Sequence, residues 1–159
     1  MIKHFENIRG NEDSKERICS FFASDYHFEM IALPYVEKEI KNNGNVVILT
    51  ENDLNSSIRK VLSRTNLDEE EKEKIYNIDW SKNDENKLKN IEQELDKNTN
   101  VTVFIKGGED YICKMDSSIQ KLENLKIVHC YSLDEIGSNV SNVVKNYDVV
   151  LSTMGKAKM

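Results

Sequence analysis

The stretch that decides the fold class is RICSFFASDYHFEMIALPYVEKEIKNNGNVVILTE, residues 17–51. It opens with a short apolar run at 17–22 and closes with a second run at 46–50. Between the two runs, apolar residues recur at the three-and-four spacing of one helix face, namely Phe28, Ile31, Ala32, Tyr35, Val36 and Ile40. The pattern predicts strand, helix and strand in succession, which is the building unit of a parallel sheet.

The same alternation of apolar runs and helical stripes continues to the end of the chain. Three of the runs, 46–49, 101–105 and 149–151, are apolar at successive positions, as a strand covered on both faces requires, so we expect them to be central. The interpretation is an α/β fold with an open, mainly parallel, three-layer sheet of about six strands and helices on both faces, Rossmann-like or RecA-like. The predicted strands are 17–22, 46–50, 75–80, 101–105, 127–131 and 149–152.

Local signals mark where several of the helices begin, bend or end. Ser132 and Glu135 have capping-box spacing and predict the start of the last helix, while Gly44 is expected to end the first one. Pro34 lies inside the first helical stripe, where it removes a backbone hydrogen bond and predicts a bend. The charged run at 68–74 is interpreted as a helical turn that leads into the third strand.

Length and composition indicate one soluble domain spanning residues 1–159, with 1–15 as a candidate N-terminal extension. A net charge of −6, with acidic and basic residues interspersed, argues against nucleic acid as a partner. No apolar run is long enough to span a membrane, and the first residues lack a secretory pattern, so we expect a cytoplasmic protein without membrane contact. The cysteines are three and far apart, and Cys19 and Cys130 are expected to be buried thiols.

Ligands of open α/β sheets bind outside the carboxyl ends of the strands. We therefore expect a small ligand or a protein partner to bind the loops that follow the predicted strands. The candidate binding residues in those loops are Ser24, Asp25, His27, Thr50, Glu51, Asn52, Asp79, Trp80, Lys106, Gly107, Gly108 and Ser132.

The loop after the first strand lacks the residues that grip phosphates. A P-loop needs glycines for the main chain to wrap the phosphates, a Lys for the terminal phosphates and a Ser or Thr for magnesium. Residues 23–27 are ASDYH, which contain neither glycine nor lysine, and no GxGxxG or GxSxG motif occurs. The histidines are His4, His27 and His129, without metal-ligand spacing. We expect no catalytic residue, no metal and no cofactor.

Several candidate residues have two interpretations from sequence alone. Asp25 fits the first turn of a helix, where a carboxylate is stabilised, better than an acid catalyst. His27 is a candidate for function, although a structural role is favoured. Gly107 and Gly108 either let the main chain approach a ligand or form a turn with positive φ. Trp80 is either an interface anchor or a cover over the core.

The first third of the chain resembles a known family. The matching positions are residues 18–22, the Pro34-Tyr35 pair, Gly44 and the strand that leads to Thr50 and Glu51. They are similar to the RecA/KaiC-type ATPase core, and within it most similar to the MEDS domain, a sensory module of the DcmR type that has lost its P-loop. Arg17 stands where the family commonly has His, and the helix ends in Ile40-Lys41 instead of a Gly-Leu pair. The resemblance implies sensing of a ligand or signal by a degenerate nucleotide-binding fold.

The hypothesis from sequence is therefore a non-catalytic sensory or regulatory module that uses the carboxyl edge of its sheet. Two alternatives belong to other classes. One is a small enzyme with acid–base groups among Asp25, His27, Glu51 and Lys106. The other is a structural interaction domain, for example a homodimer.

Overall fold

The protein's architecture is known from a computed structural model that describes residues 16–97 and 99–158. The candidate N-terminal extension, 1–15, lies outside the described residues. Within the described part, the strands are β1 (Ile18–Phe22), β2 (Asn45–Thr50), β3 (Val101–Gly107), β4 (Leu125–Ser132), β5 (Val149–Ser152) and β6 (Gly155–Lys158). The helices are α1 (Asp25–Lys41), α2 (Asn55–Ser63), α3 (Glu69–Tyr76), α4 (Asp84–Asp96), α5 (Glu109–Ile119), α6 (Leu133–Ile136) and α7 (Val140–Val144), with a 3₁₀ turn at Gly137–Asn139.

The strands form one sheet in the order β2-β3-β4-β1-β5-β6. The pairs among β1 to β5 are parallel, and β6 runs antiparallel to β5. Helices α1 to α3 pack on one face and helices α4 to α7 on the other, so the sheet divides the core in two. The prediction of a three-layer, mainly parallel α/β fold is confirmed.

The region predicted as the third strand, 75–80, has no strand in the structure. Ile75 lies in the last turn of α3, and Trp80 follows in a loop, where its indole Nε1 donates to the carbonyl of Ile75 at 2.8 Å. Both side chains are buried, which explains the apolar run, but a run this short cannot distinguish a helix end from a strand. The sixth strand is β6 instead, whose residues are all exposed and carry no apolar pattern.

The expectation that the runs at 46–49, 101–105 and 149–151 form the centre of the sheet is wrong for β2. β2 is an edge strand, whereas β3 and β5 are interior strands with a neighbour on each side. Strand β2 is nevertheless apolar because α1 packs on one of its faces and α4 on the other. Lys87 of α4 is 2% exposed and donates through Nζ to the carbonyl of Ile48 on β2 at 2.7 Å and to the carbonyl of Ser81. Burial lowers the pKa of this lysine.

Helix boundaries agree in part with the signals in the sequence. α1 runs through Pro34 as one helix, and Asn43 (φ 60°), not Gly44, adopts the left-handed conformation after its end. A Cβ at position 44 would lie 3.1 Å from Glu39 Oε2 and 3.2 Å from the Glu39 carbonyl oxygen, so a larger residue would fit only tightly. Ser132 precedes α6 as predicted but makes no capping hydrogen bond, so the capping-box prediction is wrong. α6 ends after one turn at Gly137, whose φ is 54°.

The expectation for the cysteines is settled by burial. Cys19 and Cys130 are buried thiols, as predicted. Burial raises the pKa of Cys19 to about 12, so it stays a neutral thiol. Among the described residues, each helix is too short or too polar to cross a membrane.

Candidate functional site

The direction in which the chain moves along the sheet reverses between the neighbouring strands β1 and β4. β1 lies between β4 and β5, and the chain leaves β1 towards β2 but leaves β4 towards β5, in the opposite direction along the sheet. In open α/β sheets, ligands bind outside the carboxyl ends of the strands near such a reversal. The ends of β2 and β3 border the same edge, so most of the predicted site residues are brought together there.

The turn between β1 and α1 is closed by its own side chains. The Ser24 hydroxyl caps α1 by accepting a hydrogen bond from the His27 amide at 3.1 Å. The His27 ring accepts in turn through Nδ1 from the Ala23 amide at 2.9 Å. Two main-chain amides at the start of this helix are therefore already satisfied within the chain. His27, a candidate for function, has a structural hydrogen bond here.

Asp25, Asn52 and Lys106 form a polar cluster beside this turn. Lys106 Nζ lies 3.0 Å from Asp25 Oδ1 and donates to Asn52 Oδ1 at 2.7 Å. The Asn52 side-chain amide donates to Asp25 Oδ2 at 3.0 Å, so each of the three side chains contacts the other two. The Lys106 side chain is 3% exposed, while that of Asp25 is 40% exposed. Asp25 therefore compensates a buried cation as well as occupying the first turn of α1.

Aromatic rings form the apolar floor of this polar cluster. Lys106 Nζ lies 4.7 Å from the ring centroid of Phe22 and 5.6 Å from that of Phe28. Ring faces attract a cation, so they replace part of the water that Lys106 has lost. Lys106 alternates with Ile105 along β3, which explains why a lysine inside an apolar strand points to the face that α1 covers.

Glu29 is a neighbour of this cluster that the sequence did not single out. Its side chain lies on α1 one turn after Asp25 and is 0% exposed. The Ser57 hydroxyl of α2 donates to Glu29 Oε1 at 2.6 Å, while Oε2 has no hydrogen-bond partner. Burial raises the pKa of Glu29 to about 7, with the charge of Asp25 raising it further and Lys106 opposing. The signal available in the sequence was the position of Glu29 on the face of the helix that points away from solvent.

The other side of this carboxyl edge is formed by the ends of β2 and β3, which carry Thr50, Glu51, Gly107 and Gly108. Thr50 Oγ1 donates to the Asn52 carbonyl at 2.8 Å and so shapes the turn after β2. Glu51 accepts through Oε1 from the Gly108 amide at 2.9 Å, at the start of α5. The alternative that Gly107 and Gly108 need positive φ is wrong, because neither adopts it. A Cβ at Gly107 would lie 2.6 Å from Glu51 Oε1, and one at Gly108 would overlap Glu135 Oε2.

A pocket of ≈ 350 Å³ lies at this edge, above the ends of β3 and β4. Its size falls in the range of small-molecule sites. Four carboxylates line it, and among the described residues it has no lysine or arginine in its wall. We call it the edge pocket; its lining residues are Glu51, Gly108, Glu109, Asp110, Tyr111, Tyr131, Ser132, Glu135 and Ile136.

Asp79 and Trp80 belong to a different environment from the other candidates. Trp80 is 0% exposed in the core and cannot contact a ligand at the surface. Asp79 has φ 68° and accepts from the Ser81 amide at 3.0 Å, so it holds a loop. The interpretation of Trp80 as a cover over the core is confirmed, and its alternative role as an interface anchor is wrong.

A buried chain of hydrogen bonds leads from the edge pocket into the sheet. Tyr131 contacts the hydroxyl of Tyr147, which is 2.7 Å from His129 Nδ1, and His129 Nε2 is 2.9 Å from Asp116 Oδ1. His129 lies in β4, and both its ring nitrogens are hydrogen-bonded. Burial raises the pKa of Tyr131 and of Tyr147, which keeps both phenols neutral.

The described residues include no group of three or more histidine, cysteine or acidic side chains arranged to hold a metal ion. Compared with models of known protein families, with curated proteins and with solved structures, the chain has no significant match. The resemblance to the MEDS domain therefore stays a prediction from the residues of the first third of the chain.

Proposed function

We propose that this protein is a non-catalytic sensory or regulatory module that binds a small ligand or a protein partner at the carboxyl edge of its sheet. The observation that carries the proposal is the closed turn after β1. In a P-loop fold the amides of this turn wrap phosphate. Here the Ser24 hydroxyl and the His27 ring occupy the amides of His27 and Ala23.

The charges at the edge also argue against a phosphate ligand. The buried cation Lys106 is already paired with Asp25. The edge pocket next to it carries Glu51, Glu109 and Glu135, whose charges repel an anion. A cationic or hydroxyl-rich small molecule fits this lining better, because carboxylates accept hydrogen bonds from both. The resemblance to the MEDS domain supports a sensing role within the same proposal.

The test of the proposal is a thermal-shift and hydrolysis assay on the purified chain. We expect Mg-ATP and Mg-ADP to leave the melting temperature unchanged and ATP to remain intact. Among primary amines and polyols, we expect at least one compound to raise the melting temperature of the wild type, since a ligand of the folded state stabilises it by mass action. Glu135→Gln should reduce that shift, whereas Glu92→Gln, an exposed change on α4, should not.

Two outcomes would contradict this proposal. One is ATP hydrolysis that Asp25→Asn abolishes. The other is stabilisation by Mg-ATP together with changes in the amide resonances of residues 24–27. Either result would place a nucleotide where we infer a closed turn.

One observation favours the alternative of a small enzyme. Glu29, with a pKa raised to about 7, lies beside the Asp25–Lys106 pair, and a group that titrates near neutral pH is suited to general acid–base catalysis. Glu29 is fully buried, so such an enzyme must open α2 away from α1 to reach it. A reaction on any substrate that is lost in Glu29→Gln and retained in Glu92→Gln would support this alternative.

A further inference from the structure

A second cavity lies on the far side of the molecule from the edge pocket. It runs between the second half of α1 and the hairpin of β5 and β6, and reaches the amino ends of β2, β3 and β4. Its volume is ≈ 480 Å³. We call it the amino-edge groove; its wall includes Ile31, Tyr35, Gly44, Lys126, Leu151 and Lys156.

Tyr35 contributes an unsatisfied donor to the wall of this groove. The side chain is 8% exposed, and its hydroxyl has no hydrogen-bond partner. Burial raises the pKa of Tyr35 to about 12, the charges of Glu39 and Glu16 raise it further, and the Thr102 side chain lowers it without satisfying the hydroxyl. The phenol is therefore neutral at physiological pH and keeps its proton to donate. A buried polar group without a partner is costly, and a ligand that accepts its proton removes that cost.

The charges around the groove favour an anion. Lys38, Lys126 and Lys156 line it, against one lining carboxylate, Glu39. Lys126 Nζ lies 3.8 Å from Glu39 Oε1, and Lys156 Nζ lies 3.5 Å from Glu16 Oε1. These are long ion pairs at the surface, which contribute little and can rearrange towards a new anion. The concentration of lysines is notable in a chain with a net charge of −6.

The remaining wall is apolar. Ile31, Pro34 and Leu151 lie along the groove, and Lys156 Nζ lies 5.2 Å from the ring centroid of Tyr35. The mixture of apolar surface and a few convergent polar groups is typical of small-molecule sites.

We propose that the amino-edge groove binds a small organic carboxylate with an apolar body. The carboxylate accepts the hydrogen bond of the Tyr35 hydroxyl and is neutralised by the surrounding lysines, while the apolar body packs on Ile31 and Leu151. This site goes beyond the function proposed above, because it lies at the opposite edge of the sheet and selects the opposite charge from the edge pocket.

Benzoate is a probe of the required chemistry, and benzyl alcohol is its neutral counterpart. In a titration of the ¹⁵N-labelled full chain followed by amide resonances, we expect benzoate to shift Gly44 and Gly155, which line the groove. Benzyl alcohol should leave both unchanged. Residues 23–27 and 108, at the other edge, should not move, so the result does not depend on the ligand of the edge pocket.

Variants identify the groups that bind the carboxylate. Tyr35→Phe keeps the ring and removes the donor, and Lys126→Gln removes one cation; each should weaken the benzoate dissociation constant about five- to tenfold. Lys89→Gln, an exposed change on α4, is the matched control and should have no effect. Without ligand, Tyr35→Phe should be as stable as the wild type in urea, because its hydroxyl makes no hydrogen bond to lose.

Three results would overturn the proposal. The first is an absence of shifts at Gly44 and Gly155 up to about 20 mM benzoate, a weak-binding limit. The second is an equal response to benzyl alcohol, which would indicate an apolar groove without selection for charge. The third is a Tyr35→Phe variant that is less stable than the wild type yet binds benzoate unchanged, since its hydroxyl would then serve the fold alone.

Discussion

At the scale of single residues, Glu29 is a group whose ionisation near neutral pH is coupled to the fold. One carboxyl oxygen accepts from Ser57, the other has no partner, and the charges that act on it are those of Asp25 and Lys106. In the unfolded chain its pKa returns to the ordinary value of 4.5, whereas in the folded chain it is about 7. The folded state therefore binds the proton more tightly than the unfolded state does.

The sign of the pH effect follows from this difference. Stability from Glu29 is fully present below pH 4.5 and is lost as the pH rises through 7. The loss amounts to about 3 kcal/mol at most, from 1.36 kcal/mol per pKa unit. We expect Glu29→Gln to flatten the dependence of the unfolding free energy on pH between 5 and 8, as measured by urea denaturation. Glu92→Gln should retain the wild-type slope, and an unchanged slope in Glu29→Gln would disprove the buried-carboxyl account.

The two adjacent glycines at the end of β3 should tolerate a methyl group differently. At Gly107 a Cβ would lie 2.6 Å from Glu51 Oε1 and 2.8 Å from the buried ring of Tyr111, neither of which is held loosely. At Gly108 the overlap is with the tip of the Glu135 side chain alone, which can rotate away. Gly107→Ala should cost about 1 to 3 kcal/mol in unfolding free energy and Gly108→Ala less than about 1. Equal losses in urea denaturation would show that packing does not explain these glycines.

At the scale of secondary-structure elements, the start of α1 depends on Ser24. Its hydroxyl satisfies the amide of His27, and its own carbonyl accepts from Phe28 at 2.9 Å. Ser24→Ala should lower the unfolding free energy by about 1 kcal/mol, as loss of an N-cap commonly does. Ser24→Asp should restore it, because aspartate also caps. A destabilised Ser24→Asp variant would mean that the cap is not what fixes this turn.

Elements also show where the sequence was informative and where it was not. β1, β3 and β4 carry enough β-branched and aromatic residues in succession for their positions to be predicted. Ile75 and Trp80 misled the assignment because both are buried, one in a helix end and the other in a loop. β6 has the sequence GKAK, and only its pairing with β5 makes it a strand. Pairing partners are a property of the fold and leave no trace in such a short polar segment.

The candidate site could be predicted only as a set of loops. Asp25, Asn52 and Lys106 were expected at the same edge, but the ring of contacts they form depends on side-chain direction at positions 27 and 81 residues apart. Glu29 and Tyr35 were hidden, because a helix pattern does not show which polar groups lack partners. Trp80 was misplaced together with the strand that was expected to carry it.

At the scale of the whole molecule, the hairpin strand β6 is expected to be dispensable for folding. Its four residues are exposed, and the core beneath it is completed by β5. A chain that lacks residues 155–159 should keep the wild-type circular dichroism spectrum and lose at most about 2 kcal/mol, from a few exposed backbone hydrogen bonds. If this chain fails to fold, β6 must protect the edge of β5 in a way that burial does not reveal.

The two edges of the sheet differ, because Lys87 is hydrogen-bonded to the edge strand β2. Lys87 donates to the carbonyl of Ile48. A foreign strand therefore cannot pair with β2 without first expelling this buried ammonium group. The opposite edge strand, β6, carries the charges of Lys156 and Lys158, which salt can screen. Any growth of the sheet by recruitment of a foreign strand, whether in signalling or in aggregation, should therefore proceed from the hairpin side and be promoted by ionic strength.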